Sequence, residues 1–302
     1  MGMTNSQYKV AAEVVALLAQ AGSSAPPTEL RNRLLHAAGV IPSMAERLVP
    51  STPSEVYETQ AKAFHDLCRS LTDEQWRLVA SPYDWSLHEL VAHVLAGEVY
   101  TAQALGLPTD HKLLDGSNHL LTGAEIIAEH QVLAPTETSA ACWKRAQATI
   151  KNLPDLTVDG DNTFVEYHGW PFPVNALLIA RGFEFWTHAD DIRRAIGATV
   201  VDPTPNDLRA MSSTSVQNLD LVIALAFPEA PTGTTRIVLT GAGGGTFDIG
   251  PGGERVTTAI VDVVDYCRMT ARRLEVDKLP ADITGDRTVA TALWNAARVF
   301  AM

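Results

Sequence analysis

The chain has 302 residues, of which 46% are hydrophobic, 19% charged and 7% aromatic. This mixture can bury a sizeable core and excludes a disordered protein, and the length favours two ordinary domains over one very large domain. The 35 acidic and 23 basic side chains give a formal net charge of −12. Because this charge repels phosphate backbones and anionic lipids, we expect neither nucleic acid nor a membrane surface as a partner.

The sequence carries no pattern for export or membrane insertion. No apolar run reaches the roughly 18 to 20 residues of a membrane span, and the start MGMTNSQYKV has no charged segment that leads into an apolar one. Cys68, Cys142 and Cys267 are far apart and form no CxxC pair, so neither a disulfide framework nor a thiolate zinc site is predicted. We expect a cytoplasmic protein with reduced and buried cysteines.

The first fifty residues look like an appendage to the rest of the chain. Apolar residues at helical spacing predict one helix over 6–21 and a second over 28–38, with Pro/Ser-rich stretches around them. We therefore predict a helical extension over residues 1–50, with no role that the sequence assigns.

Residues 51–200 carry the patterns of long helices. The capping patterns TPSE at Thr52 and SLHE at Ser86 each place a glutamate three residues after the N-cap. Gly197, preceded by two arginines, is typical of a helix end. The predicted helices are 53–70, 86–105, 122–152 with an interruption at Pro135, and 174–196. Four long helices joined by loops imply an antiparallel bundle.

The pattern changes at Val201-Asp202-Pro203-Thr204-Pro205, which we take as a domain boundary. The β-branched runs RIVLT and TFDIG, joined by GAGGG, predict a hairpin, and DNTFVEYHGWPFP in the preceding domain predicts a polar, aromatic loop. The other elements predicted after the boundary are a helix over 205–226, a strand over 256–258, a helix over 260–274, a strand over 281–284 and a helix from 287. The fold class is therefore multidomain α+β: a four-helix bundle over 51–200, followed by a small α+β domain over 201–302.

The strongest candidate site lies in RGFEFWTHADDIRRAIG. Glu184 and His188 are four residues apart on a predicted helix and point the same way. His93 lies on an apolar face of another bundle helix, and bundle interiors commonly hold metal ligands from facing helices. Two histidines and a glutamate match a catalytic zinc site, although a solvated or capping Glu/His pair has the same spacing. Asp191 is either a partner for the second ring nitrogen of His188 or a surface carboxylate.

The sequence segments around these residues resemble those of a known protein family. DWSLHELVAHVL and GFEFWTHADDIRRAIG resemble, in order and separation, the two signature segments of the DinB-like, mycothiol-dependent maleylpyruvate isomerase family. The segments VLTGAGGGTFDI, YCRMTARRL and ITGDRTVATALWNAARVF are similar to its C-terminal domain. The resemblance covers about residues 53–302.

The resemblance implies a set of site residues and a thiol cosubstrate. It places a divalent metal, usually zinc, on His93, Glu184 and His188, and it places a characteristic arginine at Arg273. In such a site the thiol of mycothiol binds the metal, is deprotonated there and attacks a small electrophilic substrate. Arg273 would then hold the second substrate, although a cation near a helix end is the plain structural interpretation.

Three function classes stay open at this point. Within the thiol-dependent class, the reaction is either an isomerisation by reversible thiol addition or an S-transfer that leaves mycothiol on the product. The second class is a non-catalytic, metal-binding regulatory protein that binds a partner through its N-terminal extension. The third is a hydrolase that uses zinc-bound water, with Asp191 or His168 as its base.

Overall fold

The computed structural model of the chain describes residues 48–109, 119–167, 170–217, 219, 233–250 and 253–298. These residues form two compact units, Ser51–Pro203 and the described residues from Thr204 onward. Residues 1–47 of the predicted extension, His168, and most of the predicted helix 205–226 beyond Gln217 lie outside the described residues. Among the described helices, none combines the length and the apolar character that crossing a bilayer requires.

The first unit is a bundle of helices with two small hairpins. Its helices are α1 Pro53–Arg69, α2 Leu87–Ala104, α3 His119–His130, α4 Pro135–Leu156 and α5 Val174–Ala195, with a short 3-10 turn at Gln75–Arg77. Helix α1 packs against α5 and α4, and α2 packs against α4, α3 and α5. The core between them is apolar. Its largest buried side chains include Tyr57, Phe64, Trp76, Leu87, Leu90, Leu95, Leu178, Phe185 and Ile192.

Two helix starts are fixed by reciprocal side-chain caps, as the sequence predicts. At α1, the Thr52 backbone N–H donates to Glu55 Oε2 (2.7 Å) and the Glu55 N–H donates to Thr52 Oγ1 (3.3 Å). At α2, the Ser86 N–H donates to Glu89 Oε2 (2.8 Å) and the Glu89 N–H donates to Ser86 Oγ (3.2 Å). Each pair satisfies backbone donors that have no partner within the helix, and so sets the first residue of the helix.

The third helical stretch is divided where the sequence predicts the break. Helix α4 begins at Pro135, where a ring without an N–H fits the first helical position. The predicted start at Thr122 is wrong, because α3 already includes His119. At the far end of the bundle, α5 ends before Gly197, whose φ of 68° is the left-handed conformation that glycine adopts easily.

The predicted loop over 161–173 contains a strand pair instead. Strand β3, Phe164–Tyr167, pairs antiparallel with β4, Trp170–Pro173, and a shorter pair, β1 Val79–Ala80 with β2 Trp85–Ser86, precedes α2. The prolines of WPFP argue against a strand in a sheet interior. They are tolerated here because each strand of a two-stranded ribbon has an open edge that needs no N–H donor.

The second unit is a mixed sheet with helices. Its elements are α6 Pro205–Gln217, β5 Thr234–Thr240, β6 Gly245–Ile249, β7 Arg255–Asp262, α7 Val263–Thr270, a 3-10 turn Val276–Lys278, β8 Asp282–Gly285 and α8 Arg287–Ala297. The strand order is β6-β5-β7-β8, with β5 and β7 parallel and the other pairs antiparallel. The observed fold thus confirms the predicted class, a helical bundle with a small α+β part.

Two elements of this unit were predicted from the sequence, a hairpin and the helix that follows β7. The hairpin β5–β6 is confirmed, and Gly241 and Gly243 adopt φ values of 90° and 95° in its turn. The helix predicted from residue 260 begins at Val263 instead, because β7 continues to Asp262. The Asp262 carboxylate then accepts hydrogen bonds from the Val264 and Asp265 N–H groups (2.8 and 3.3 Å) and caps α7.

Candidate metal centre

Helix α5 carries a stripe of four ionisable side chains on one face. Arg181, Glu184, His188 and Asp191 follow one another at intervals of three, four and three residues, the spacing of one side of an α-helix. Helix α2 packs against α5 and contributes His93. The site is therefore built from two helices, and the cap at Ser86 lies two turns before His93.

Three side chains of these helices converge on one point. His93 Nε2 lies 3.6 Å from Glu184 Oε1, and His188 Nε2 lies 3.7 Å from the same oxygen. One ligand atom from each of the three residues lies within 4.8 Å of the other two. The side chains of His93 and Glu184 are 25% and 28% exposed, whereas that of His188 is 3% exposed. The cluster is closed behind His188 and open on the side of the other two residues.

This donor set fits a divalent metal. Two imidazole nitrogens and a carboxylate oxygen are a common three-ligand set of catalytic zinc sites. Two ligand atoms about 2.0–2.1 Å from a tetrahedral ion lie about 3.3 Å apart. The two His–Glu separations of 3.6 and 3.7 Å exceed hydrogen-bond length and come close to that value, and all three ligand atoms lie within 4.8 Å of one another, so the side chains would move closer together around an ion.

Asp191 lies behind His188. Its Oδ2 atom is 3.1 Å from His188 Nδ1, and the residue is 1% exposed. A carboxylate in this position orients the ring so that Nε2 faces the cluster. Asp190 is also buried and lies 3.9 and 4.0 Å from the side chains of Arg193 and Arg194.

Arg181 determines the charge state of Glu184. Its Nη1 atom contacts Glu184 Oε2. Burial by itself would raise the pKa of the Glu184 carboxyl, but Arg181, followed by His188 and His93, outweighs burial and holds that pKa well below its ordinary value. Glu184 is therefore an anion before any metal binds, which is the form that ligates one.

An aromatic pair lies beside the cluster. Tyr83 and Trp85 stack with ring centroids 4.7 Å apart, at the β1–β2 hairpin. Trp85 lies 5.0 Å from the His93 ring, and Tyr83 lies 6.0 Å from the His188 ring. These rings shield one side of the imidazoles from water. Trp186, on the same helix as Glu184 and His188, is buried and donates to the Val201 carbonyl (3.2 Å).

The structure brings four of the five predicted site residues together in the first unit. They are His93, Glu184, His188 and Asp191. Arg273 belongs to the second unit, where it follows the end of α7 and its backbone N–H donates to the Arg268 carbonyl (2.8 Å). Its neighbour Arg272 has a φ of 59°, so the helix has already ended before Arg273.

Sequence reasoning missed three residues that support the site. Arg181, Glu98 and Tyr57 form a buried chain of polar contacts behind Glu184. Two signals were available: Arg181 precedes Glu184 by three residues on the same stripe, and Glu98 is a carboxylate inside the apolar stretch LAGEVY of α2. A buried charge in a helix interior requires a partner of opposite charge.

The cysteines are buried thiols, as predicted. Cys68, Cys142 and Cys267 are free and buried. Burial raises the pKa of Cys68 to about 12 and raises that of Cys142 well above its ordinary value. At neutral pH both are protonated, so neither supplies a thiolate nucleophile.

Comparison with known proteins shows what the bundle is similar to. Residues 57–193 match the family model of the mycothiol maleylpyruvate isomerase N-terminal domain. No curated protein matches the chain. Two crystal structures of the mycothiol-dependent maleylpyruvate isomerase, one of a histidine-to-alanine mutant, are each 15% identical to it, with a TM-score of 0.53 over 78% of this chain and 92% of theirs.

A third structure, a DinB-like protein from Bacillus cereus, matches at 15% identity and a TM-score of 0.36, over 49% of this chain and 92% of that one. The two isomerase structures show the shared fold, and the family match covers the segment that contains His93 and Glu184 together with His188. Residues 57–193, which contain most of the helical bundle, thus match the N-terminal domain of the family that the two signature segments resemble.

Proposed function

We propose that the chain is a metal-dependent and mycothiol-dependent enzyme that acts on a small electrophilic molecule, as an isomerase or a thiol S-transferase. The observation that carries the proposal is the convergence of His93, Glu184 and His188 within 4.8 Å. The matching family is that of the mycothiol maleylpyruvate isomerase N-terminal domain, and two solved structures with the same fold are of the mycothiol-dependent maleylpyruvate isomerase.

His93, Glu184 and His188 would hold the metal, with zinc the expected ion. A zinc ion bound by three side chains keeps a coordination position open, at which a thiol can bind and lose its proton. His93 and Glu184 are the partly exposed members of the set, so the open position faces their side of the cluster. Asp191 keeps the His188 ring in the tautomer that presents Nε2.

The chain's own groups suit a thiol that arrives from outside. Cys68, Cys142 and Cys267 are buried, and burial raises the pKa of Cys68 and Cys142; this supports a sulfur nucleophile that comes from the cosubstrate. In an isomerisation the thiol adds to an activated double bond and is then eliminated, so it is regenerated. In an S-transfer the new carbon–sulfur bond stays in the product and a leaving group departs.

Arg273 is the proposed contact for the second substrate. A guanidinium binds a carboxylate through two parallel hydrogen bonds, and it stabilises negative charge that builds on a conjugated acid during thiol addition. Support for this role is the match of YCRMTARRL to the family pattern and the position of Arg273 beyond the end of α7.

The decisive experiment assays metal-loaded protein against a panel of activated alkenes and other electrophiles, with and without mycothiol, and identifies products by mass spectrometry. We expect turnover only when mycothiol is present. An unchanged product mass with a changed double-bond geometry, determined by NMR, indicates isomerisation, whereas a gain of the mass of mycothiol, less that of the protonated leaving group, indicates S-transfer. Hydrolysis without thiol would replace the proposal with the zinc-water hydrolase, and metal binding without any turnover would favour the regulatory protein.

A further inference from the structure

A chain of buried polar side chains leads from α1 to the metal centre. The Tyr57 hydroxyl donates to Glu98 Oε2. Arg181 Nε donates to Glu98 Oε1 (3.0 Å), and Arg181 Nη2 lies 2.9 Å from the same oxygen. On its other side, Arg181 Nη1 contacts Glu184 Oε2. Arg181 thus lies between two carboxylates, one in the bundle core and one at the metal centre.

The contacts divide the two oxygens of Glu184 between different partners. Oε2 faces Arg181, whereas Oε1 faces both imidazoles, at 3.6 Å from His93 and 3.7 Å from His188. A carboxylate can ligate a metal through one oxygen or through both. With Oε2 held by a guanidinium, Oε1 alone is available, and the position that a second oxygen would occupy stays open for other ligands.

The fold makes room for this arginine and fixes it in place. Arg181 is 2% exposed and Glu98 is 0% exposed, so the guanidinium has no water to exchange with. Gly97 lies directly against it: a Cβ atom at this position would be 2.7 Å from both Nη1 and Nη2 of Arg181. Glycine is an unfavourable residue inside a helix, and at position 97 it is the residue that admits the guanidinium.

We infer that Arg181 is a positioning residue that holds Glu184 in one-oxygen coordination, with Glu98 and Gly97 fixing Arg181 itself. This inference rests on the proposed metal site. It assigns Arg181 a role in the affinity and coordination number of the metal, beyond its part in the packing of the bundle.

The test uses the full-length protein and two variants of different kinds. Arg181→Lys keeps the charge and loses the planar fork, whereas Gly97→Ala keeps every charged group and adds a methyl where the guanidinium lies. The measurements are the Zn²⁺ dissociation constant by chelator competition, the visible absorption of the Co²⁺-loaded protein, and the melting temperature of metal-free protein. Arg194→Lys is the matched control, because it changes an arginine of the same helix whose side chain is 50% exposed.

We expect both variants to bind Zn²⁺ about 10 to 100 times more weakly than the wild type, as for the loss of partners that orient metal ligands. We also expect weaker Co²⁺ absorption, because a Glu184 that binds through both oxygens raises the coordination number. The control should match the wild type in both measurements. If Arg181→Lys does not fold, Gly97→Ala decides the question, since it removes no charge.

Two outcomes separate this inference from the proposed function. Wild-type affinity and an unchanged Co²⁺ spectrum in the folded variants, with only the melting temperature altered, would overturn the inference and leave the metal site intact. A wild-type protein that binds neither Zn²⁺ nor Co²⁺ would overturn the metal site itself.

Discussion

Two pairs of histidines lie between helices of the bundle, and each pair shares one oxygen. His93 and His188 face Glu184 Oε1 at 3.6 and 3.7 Å. His88 Nε2 and His130 Nδ1 face the hydroxyl of Thr138, at 2.8 and 3.1 Å. The second pair is at hydrogen-bond distance from a neutral hydroxyl, which can donate one hydrogen bond and accept two. The first pair surrounds an anion at distances too long for hydrogen bonds.

The two pairs differ more in the shared oxygen than in the histidines, and that oxygen is the reason for proposing a metal at the first pair alone. Helix α2 supplies one histidine to each pair, and the two lie five residues apart, so they point to different faces. Thr138 is fully buried and carries no charge, so its pair joins α2, α3 and α4 without attracting a cation. Glu184 is partly exposed and its pKa is held low by Arg181, which favours a bound cation.

The strongest test of this contrast removes a histidine from each pair. His188→Ala should reduce metal content from about one ion per chain to near zero, because each of three ligands supplies a large share of the binding energy. Elemental analysis measures the loss, and circular dichroism should show a folded bundle. His130→Ala is the matched control and should keep its metal. Full retention of metal after alanine substitution at His93, Glu184 and His188 in turn would refute the assignment.

A second test asks whether Arg273, which belongs to the second unit, takes part in the reaction proposed for the His93/His188 pair. Arg273→Ala should lower kcat/KM by the equivalent of roughly 2–4 kcal/mol, by comparison with the loss of donors to a developing oxyanion. Arg273→Lys should also impair turnover, because an ammonium group cannot reproduce the planar fork. Metal content should not change. Arg272→Ala is the neighbouring control, and an equal loss at both positions would remove Arg273 from the proposed mechanism.

A third test removes the hydroxyl oxygen that His88 and His130 share. Thr138→Val replaces the hydroxyl with a methyl of similar size and leaves two ring nitrogens without their shared partner. We expect a loss of about 1–3 kcal/mol in the free energy of unfolding, measured by denaturant titration. Metal content should equal that of the wild type. Loss of metal in a folded Thr138→Val protein would mean that metal binding at His93 and His188 also depends on the His88/His130 pair, and would contradict this contrast.

The smallest effect on activity is expected from the thiols. Replacing Cys68, Cys142 and Cys267 together by alanine should leave thiol-dependent turnover unchanged, because all three thiols are buried and burial raises the pKa of Cys68 and Cys142. The melting temperature should fall, since smaller side chains leave cavities in the core. A folded, metal-loaded triple variant without activity would mean that a protein thiol performs the chemistry.

Local patterns in the sequence predict much of this structure. The capping boxes at Thr52 and Ser86 are visible as S/T-x-x-E, and the pair Glu184/His188 is visible as an i,i+4 spacing. Such features depend only on contacts within one helix, which periodicity describes well. The strand pair β3–β4 was missed because its prolines suggest a loop, and only the open edges of a two-stranded ribbon make them acceptable.

The support behind the metal centre could not be predicted in the same way. Arg181 meets Glu98 only because α2 and α5 approach closely at Gly97, and no spacing within either helix encodes that approach. The burial of Asp190 beside its arginines has the same origin, since the packing of α5 removes it from solvent. Residues whose partners lie on another helix require the tertiary structure.

The cap at Ser86 also fixes the direction in which His93 points from α2. An α-helix turns by about 100° per residue, so the direction of the His93 ring is set by counting seven residues from the cap. Ser86 is itself anchored, since it pairs with Val79 in the β1–β2 hairpin. Adding or deleting one residue between Ser86 and His93 would turn the imidazole about 100° away from α5. The seven residues 87–93 therefore have a fixed length.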